Sequence, residues 1–383
     1  MRTILSLVGG LGYMALCLIL TMQMATGAIL PPVLDAPLSP TEANPYLVTG
    51  TATPDSTVRL YVNGDPRQST QSGADGHFAF SAALIDGVNS LYVTQFDGSE
   101  ESMPSNTINV DYINVLSRMQ GGKLSQDAVW TPGSGEPYVV TAHLTVANGV
   151  TLTLKAGTVL KFESGVRLQV DGTLKVEGTE ATPVTFTSNS ASPAAGDWSG
   201  IRINGGATDV VIDHAVIEYA VNGILFNTNG TGAVRDSVLR HNQVGAYFNT
   251  VSTGTLTHNL IHDSTHGVLV RAQATPQITN GNEITANQHG IYALGDDDAA
   301  NNPRPVVTGN SLHDNTGYHY RTDRFGAPAT TTLNATGNWW GTTDPIAIAA
   351  KIYDYHDNPS VAPTVDFSDY LDGPAGNPAV GGT

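Results

Sequence analysis

The sequence predicts an all-β protein in which a three-sided solenoid of parallel strands follows an antiparallel β-sandwich. Two observations lead to this fold class. Residues 30–113 contain short runs of alternating apolar and polar residues, separated by turn signals such as Asn63-Gly64. From residue 138 onward, short apolar strands recur with a period near 22 residues. A period of this length is typical of repeat architectures.

Residues 1–27 are predicted to form a secretory signal peptide. Arg2 precedes a long apolar run, and Ala25-Thr26-Gly27 supplies the small residues that signal peptidases prefer. An uncleaved membrane anchor is the alternative, because the apolar run nearly reaches spanning length. No later segment is apolar enough to span a membrane. The mature protein is therefore expected to be secreted, periplasmic or displayed on the cell surface.

The composition narrows the classes of partner. The 383-residue chain has 17 Lys and Arg against 34 Asp and Glu, a formal net charge of −17. Phosphate backbones are bound by clustered basic side chains, so nucleic acid is an unsuitable partner. The single cysteine, Cys17, lies in the predicted signal peptide. The mature chain is then free of disulfides, and its stability must come from packing and hydrogen bonding.

The first predicted domain covers residues 30–113. Its segments TVRLYVNG, GHFAF and GVNSLYV resemble bacterial immunoglobulin-like modules of secreted proteins. The resemblance implies a β-sandwich that acts as a spacer, in some cases one that contacts carbohydrate. Residues 114–137 are predicted to be a linker or a cap at the start of the second domain.

The second predicted domain is the solenoid, residues 138–371. AVIEYAVNGI, SVLRHNQVGA, NLIHDSTHGV, NEITANQHGI and NSLHDNTGY line up as repeats. Three inward apolar columns result, and three columns predict three sides. They are Ile217, Leu239, Ile261, Ile284 and Leu312; Ile224, Ala246, Val268 and Ile291; and Ile212, Val234, Leu256, Ile278, Val307 and Leu333.

The repeat N-x-[IL]-x-x-N-x-x-G-[IV] resembles the right-handed parallel β-helices of pectate-lyase-like proteins. We expect the turn asparagines to hydrogen-bond from coil to coil and to adopt left-handed angles. Gly223, Gly245, Gly267 and Gly290 should mark a tight bend. Asp344-Pro345 predicts a capping helix near residues 345–354, and residues 372–383 should form a flexible tail.

Histidines in HNLIHDSTHG raise the question of a metal site. His258, His262 and His266 are four residues apart, which on an extended chain is roughly 13 Å, too far to share one ion. Residues stacked on successive coils, about 4.8 Å apart, are the better candidates. Three columns follow: His214, Asp236 and His258; Glu218, Arg240, His262, Thr285 and His313; and His266 beside His289. The first suits a bound cation, with a solvated polar ladder as the alternative, and the second is interpreted as such a ladder.

Two longer loops offer further candidate sites. Asp296, Asp297 and Asp298 carry hard oxygen ligands suited to Ca²⁺, and a solvated loop is the alternative. The next coil carries YHYRTDRFG, interpreted as an outward loop. Aromatic and Arg side chains suit sugar stacking and carboxylate binding, so Tyr318, Tyr320 and Arg321 are the expected ligand-binding residues, with packing of the loop against a coil as the alternative. The candidate catalytic residues, which match no lyase motif, are His319, Tyr320, Arg321 and Arg324.

Two functions remain open at this point. The first is a non-catalytic secreted or surface β-helix that binds extracellular glycans or a surface partner. The second is a calcium-assisted polysaccharide lyase, epimerase or hydrolase acting on acidic polysaccharide in the β-helix groove. The first is favoured because the short loops and module order suit it, and because fold does not imply chemistry.

Overall fold

The computed structural model describes residues 29–112, 118–132 and 136–376. The chain divides into two compact units, Met1–Tyr112 and Ile113–Thr383. The predicted signal peptide and residues 377–383 of the predicted tail lie outside the described residues. No helix within the described ranges combines the length and hydropathy that a membrane crossing requires.

The first unit contains two antiparallel sheets that share one apolar core. In β3, Val58, Leu60 and Val62 are buried while the residues between them face outward. Asn63 and Gly64 both have positive φ and join β3 to β4, as the hairpin signal predicts. The sheets are β1-β2-β5 and β4-β3-β6-β7, with strands β1 Val33–Leu34, β2 Tyr46–Thr51, β3 Thr57–Val62, β4 Asp65–Gln71, β5 His77–Ala82, β6 Gly87–Phe96 and β7 Ile108–Tyr112.

The second unit is a coil of parallel strands with three sides, which confirms the predicted solenoid. Side 1 consists of β9 Ala128–Trp130, β11 Thr151–Lys155, β14 Thr173–Glu177, β17 Val211–Asp213, β20 Ala233–Arg235, β23 Thr255–Thr257, β26 Gln277–Thr279, β29 Val306–Thr308, β32 Thr332–Asn334 and β34 Thr364–Asp366. Side 2 consists of β12 Val159–Phe162, β15 Val184–Ser188, β18 Ala215–Glu218, β21 Val238–Arg240, β24 Leu260–His262, β27 Glu283–Thr285 and β30 Ser311–His313.

Side 3 consists of β8 Met119–Leu124, β13 Arg167–Val170, β16 Trp198–Ile203, β19 Ala220–Phe226, β22 Val244–Phe248, β25 His266–Arg271, β28 His289–Leu294, β31 Tyr320–Asp323 and β33 Ile352–Tyr353. The long strand β10, Tyr138–Val146, pairs with β12 in its first half and with β13 in its second half. Strands β8 and β9 lie in the predicted linker and pair with β10 and β11, so residues 119–130 form part of the first coil.

The inward columns predicted from the repeat are confirmed by the strand register. Ile217 is opposite Leu239, which is opposite Ile261, and all three are fully buried. The columns of the other two sides follow the same rule. Each coil alone exposes its apolar face, so stacking against its neighbours is what buries the core.

The helix at the C-terminal end differs from the sequence interpretation. The predicted capping helix is shorter than residues 345–354. Helix α1 covers Pro345–Ala349, with Asp344 as its N-cap, and the chain then returns to strand β33.

The turn between sides 1 and 2 contains a continuous ladder of buried asparagine amides. Asn259 donates from Nδ2 to Oδ1 of Asn282 (2.9 Å), which donates to Asn310 (2.8 Å), which donates to Asn338 (3.1 Å). This confirms the predicted coil-to-coil hydrogen bonds. The left-handed angles, however, lie one residue earlier, at His214, Asp236 and His258 and at the equivalent glycines.

The repeated glycine at the start of the side 3 strands is needed for close packing between coils. Contrary to our expectation of a bend, Gly267 has no left-handed φ. A Cβ added there would lie 2.7 Å from the carbonyl oxygen of Gly290 in the next coil. The same contact recurs at Gly245, whose added Cβ would lie 2.6 Å from the oxygen of Gly267. The glycines therefore allow adjacent coils to approach each other.

Candidate functional site

An outward column of apolar and aromatic side chains runs along side 3. It follows from the parallel register and consists of Leu225, Tyr247, Leu269, Tyr292, Arg321 and Tyr353. All are partly exposed. Sequence analysis missed this column. The available signal was its position two residues after each repeated glycine, for example Gly245 to Tyr247 and Gly290 to Tyr292.

The C-terminal end of this column forms a cluster of rings around one guanidinium. The Arg321 cluster consists of His266, His289, Tyr292, Tyr318, Arg321, Asp323 and Tyr353. The Arg321 Cζ atom lies 4.9 Å from the ring centre of Tyr292 and 5.7 Å from that of Tyr353. Arg321 also donates from Nη2 to Asp323 Oδ2 at 3.1 Å. Its side chain remains 31% exposed, so a ligand can reach part of the guanidinium.

Two histidines and a tyrosine stack beside Arg321. The His266 and His289 rings are 5.5 Å apart, and His289 is 5.8 Å from the Tyr318 ring. The stacking of His266 on His289 was predicted from the repeat. His266 Nδ1 and Arg321 Nε are buried without a hydrogen-bond partner. Buried polar atoms in folded proteins nearly always have a hydrogen-bond partner, so these two atoms are exceptions.

More hydrogen-bond donors than acceptors meet at the His289 ring. The backbone nitrogen of Tyr318 lies 3.3 Å from His289 Nδ1. Arg321 Nη1 lies 3.3 Å from His289 Nε2, on the other side of the ring. Both groups only donate, and a neutral imidazole has one acceptor nitrogen. One of these donors is therefore left without an acceptor, in addition to Arg321 Nε.

The environment keeps these imidazoles neutral. Burial lowers the pKa of His289 to about 4, with further lowering by the Arg321 charge and by His266. Burial and then Arg321 also lower the pKa of His266. At neutral pH, Arg321 therefore carries the cluster's positive charge, and the imidazoles act as stacking surfaces.

We expect the protein to lose stability as the pH falls from 6.5 to about 4. The pKa values of His289 and of buried His319 lie near 4 in the folded chain, against an ordinary value of 6.5. The unfolded chain takes up protons first, so stability is present above pH 6.5 and is lost on the way to 4, by up to roughly 3 kcal/mol per group. Urea unfolding across this pH range, with His289→Gln and His319→Gln for comparison, measures the effect. An unchanged pH profile in both variants would contradict it.

The structure separates the four catalytic candidates and corrects the predicted outward loop. Tyr320 is fully buried and belongs to the core, and His319 is also buried. The segment YHYRTDRFG contains strand β31, so alternate residues point inward. Of the predicted ligand residues, Tyr318 and Arg321 meet in the Arg321 cluster, while Tyr320 faces the interior.

Replacing Tyr320 by phenylalanine is expected to leave stability unchanged or raise it by about 1 kcal/mol. The Tyr320 hydroxyl is buried without a partner, and burial raises the pKa of the phenol. An unsatisfied buried hydroxyl is destabilising, so its removal costs nothing. Urea unfolding measures the change. Destabilisation by more than 1 kcal/mol would mean that the hydroxyl has a partner.

The carboxylates of the acidic loop have separate partners. Asp297 accepts two hydrogen bonds from Arg324. The same bonds occupy the guanidinium of Arg324, which was a candidate catalytic residue. Asp296 accepts from Asn301, and Asp298 caps a short 3-10 helix. Among the described residues, only Asp213, His214 and Asp236 group closely enough to hold an ion. Arg324 and the three aspartates thus stabilise the loop locally.

The other predicted polar columns are in register. On side 2, Glu218 is opposite Arg240, which is opposite His262, and Arg240 donates to Glu218 at 2.8 Å. Glu218 and Arg240 thus satisfy each other, whereas His262 bonds to Asp263 of its own coil. In the first column, His258 Nδ1 lies 3.9 Å from Asp236 Oδ1. Asp213, which the sequence analysis missed, joins His214 and Asp236 from the adjacent strand β17.

Comparison with known proteins identifies the fold of the second unit. A family model described as a pectate-lyase-like β-helix domain matches residues 122–223, and one described as a right-handed β-helix region matches residues 199–338. A comparison with curated proteins gave no significant match.

Two solved structures are similar to parts of the chain. A family 28 exopolygalacturonase of Yersinia enterocolitica is 9% identical, with 84% of this chain and 88% of that chain covered and a TM-score of 0.37. Fibronectin(III)-like modules of Clostridium thermocellum CbhA are 22% identical, with 21% of this chain and 95% of that chain covered and a TM-score of 0.17.

The family matches and the strand register agree with each other. The matched residues contain the three parallel sides, the asparagine ladder and most of the outward column on side 3. Residues 122–338 of this chain therefore form a right-handed parallel β-helix, whose first part, residues 122–223, matches the pectate-lyase-like domain.

Proposed function

We propose that this protein is a non-catalytic extracellular glycan-binding β-helix, and that the Arg321 cluster is its binding site. The surplus of hydrogen-bond donors is the observation that carries the proposal. Two donors face the single acceptor nitrogen of His289, and one of them, Arg321 Nη1, belongs to a side chain that is 31% exposed. A ligand rich in oxygen acceptors, such as a sugar with hydroxyl or carboxylate groups, would satisfy such donors.

The aromatic rings of the cluster support a carbohydrate ligand. Tyr292, Tyr318 and Tyr353 surround Arg321 and are partly exposed. Aromatic rings present an apolar face to the C–H groups of a sugar, while their hydroxyls bond to its polar edge. The apolar positions Leu269, Tyr247 and Leu225 continue the surface over further coils. A linear chain lying along the coil axis would contact them in turn.

Binding is favoured over glycoside hydrolysis by the number of carboxylates. Glycoside hydrolysis of the usual kind needs two carboxyl groups around the scissile bond. The Arg321 cluster contains one, Asp323, and Arg321 already holds it. The neutral histidines have lowered pKa values near Arg321, so they are also weak bases. The cluster is therefore better suited to holding a sugar than to cleaving one.

Retention and cleavage of polysaccharides by the purified chain test the proposal. We would use polygalacturonate, alginate and a neutral glucan, each with calcium and with a chelator. The Arg321→Met variant keeps the side-chain stem and removes the donors, so retention should weaken roughly tenfold or more. Arg324→Met is the matched control, because Arg324 is held by Asp297, and it should bind like the wild type.

Three results would overturn the proposal. New reducing or unsaturated ends would assign the protein to the enzymes. Equal weakening in both arginine variants would indicate a general charge effect. If the folded chain retains none of the polysaccharides, a glycan is excluded as the ligand and a protein partner remains.

A further inference from the structure

We propose that Asp213, His214 and Asp236 bind a Zn²⁺-type divalent cation at the turn between sides 1 and 2. Their candidate ligand atoms all lie within 4.8 Å of one another, with each residue offering one atom. Asp213 and His214 come from one coil and Asp236 from the next. The proposed ion would therefore join two coils, and it is independent of the Arg321 cluster on side 3.

The backbone places His214 and Asp236 side by side in successive coils. His214 and Asp236, with His258 in the next coil, are the left-handed residues that precede the ladder position, with φ of 49°, 51° and 53°. The same conformation at the same place in each coil makes their Cβ atoms project in parallel. Strand spacing of about 4.8 Å then places an imidazole on each side of the Asp236 carboxylate.

The charges and contacts leave Asp236 available. Asp213 accepts from Arg235 through Oδ2, at 2.9 Å and 2.7 Å, and its Oδ1 lies 2.6 Å from His214 Nδ1. Asp236 is 20% exposed; the His258 imidazole lies 3.9 Å from it, and Arg235, which Asp213 already holds, interacts with it electrostatically. Two carboxylates against one guanidinium leave the group net negative. A cation would supply the missing partner for Asp236.

The ligand types select the class of cation. Imidazole nitrogen combined with two carboxylate oxygens suits Zn²⁺ or a neighbouring transition metal. Ca²⁺ takes six to eight oxygen ligands, more than this group offers. Tetrahedral Zn²⁺ separates its ligands by about 3.3 Å, so the side chains need to move by about an ångström. The fourth position would fall to water or to His258.

Titration calorimetry of the full mature chain with ZnCl₂ tests the proposal. We expect one saturable site for Zn²⁺ and none of comparable affinity for CaCl₂. His214→Gln and Asp236→Asn should each weaken binding at least tenfold, since each removes one of three ligands. His262→Gln is the matched control, because His262 lies on side 2 and contacts Asp263. It should bind like the wild type.

Two further readouts distinguish direct ligation from loss of folding. Co²⁺ bound in place of Zn²⁺ should give visible absorption that is lost in His214→Gln. Zn²⁺ should raise the unfolding temperature of the wild type and leave that of Asp236→Asn unchanged, because an ion stabilises only the chain that binds it. The proposal is overturned if both variants bind Zn²⁺ with wild-type affinity, if His262→Gln loses as much Zn²⁺ affinity as they do, or if only Ca²⁺ binds. The group is then a solvated polar ladder.

Discussion

Replacing Asn310 by alanine is expected to lower the free energy of unfolding by about 4 kcal/mol. The fully buried Asn310 amide donates to the carbonyls of Ile278 and Thr308 and to Asn338 Oδ1. Its Oδ1 accepts from the backbone amide and the side chain of Asn282. Alanine restores none of these hydrogen bonds, and the partners left behind are shielded from water. Urea unfolding followed by circular dichroism measures the change.

The control for this prediction is Asn249→Ala. Asn249 belongs to an outer amide row, where its side chain donates one long hydrogen bond of 3.4 Å to Asn227. Because this row is partly exposed, water can replace the lost partner, and we expect a loss below about 1 kcal/mol. Equal destabilisation by the two substitutions would mean that the buried ladder contributes no more than a surface contact.

Replacing Gly200 by alanine is expected to have a comparable or larger effect, at least about 4 kcal/mol. Gly200 has a φ of 103°, which side chains rarely adopt, and an added Cβ would lie 1.6 Å from the Asn222 carbonyl oxygen. The register between β16 and β19 shifts immediately after this glycine. Alanine must therefore both strain the backbone and push the next coil away.

Gly373→Ala is the matched control for Gly200→Ala. An added Cβ at Gly373 meets no atom within 4 Å, and its φ lies outside the left-handed region. The free energy of unfolding of the Gly373→Ala variant should remain within about 0.5 kcal/mol of the wild-type value. Soluble yield and the urea midpoint of both variants give the comparison. A Gly200→Ala protein with wild-type stability would show that neighbouring coils separate without cost.

The solenoid was predictable from sequence because its constraints repeat. A column such as Ile217, Leu239 and Ile261 appears once the period is recognised, and the period also fixed the stacking of His266 on His289. Tyr320 was misplaced because the turn before it contains one extra residue: Tyr320 lies ten residues after Asn310, whereas its partner Ile291 lies nine residues after Asn282. A slip of one residue reverses the direction in which a side chain on a strand points.

The candidate sites were predictable only in part. Tyr318 and Arg321 were chosen for their residue types, and the structure brings them together. The surplus of donors at His289 depends on distances between two coils, which no spacing in the sequence reveals. Asp213 was missed because the alignment used only the residue immediately before each turn asparagine position, such as His214. Asp213 is one residue earlier, at the end of strand β17.

The parallel stacking of coils also has a consequence for how such a protein changes over generations. Each coil bonds only to the coil before it and the coil after it, so a duplicated segment of one repeat can enter the stack without disturbing distant contacts. Every duplication would lengthen the outer row of side 3 by one residue, or about 4.8 Å. The length of polymer that such a surface can hold therefore grows in discrete steps, each set by one repeat of genetic sequence.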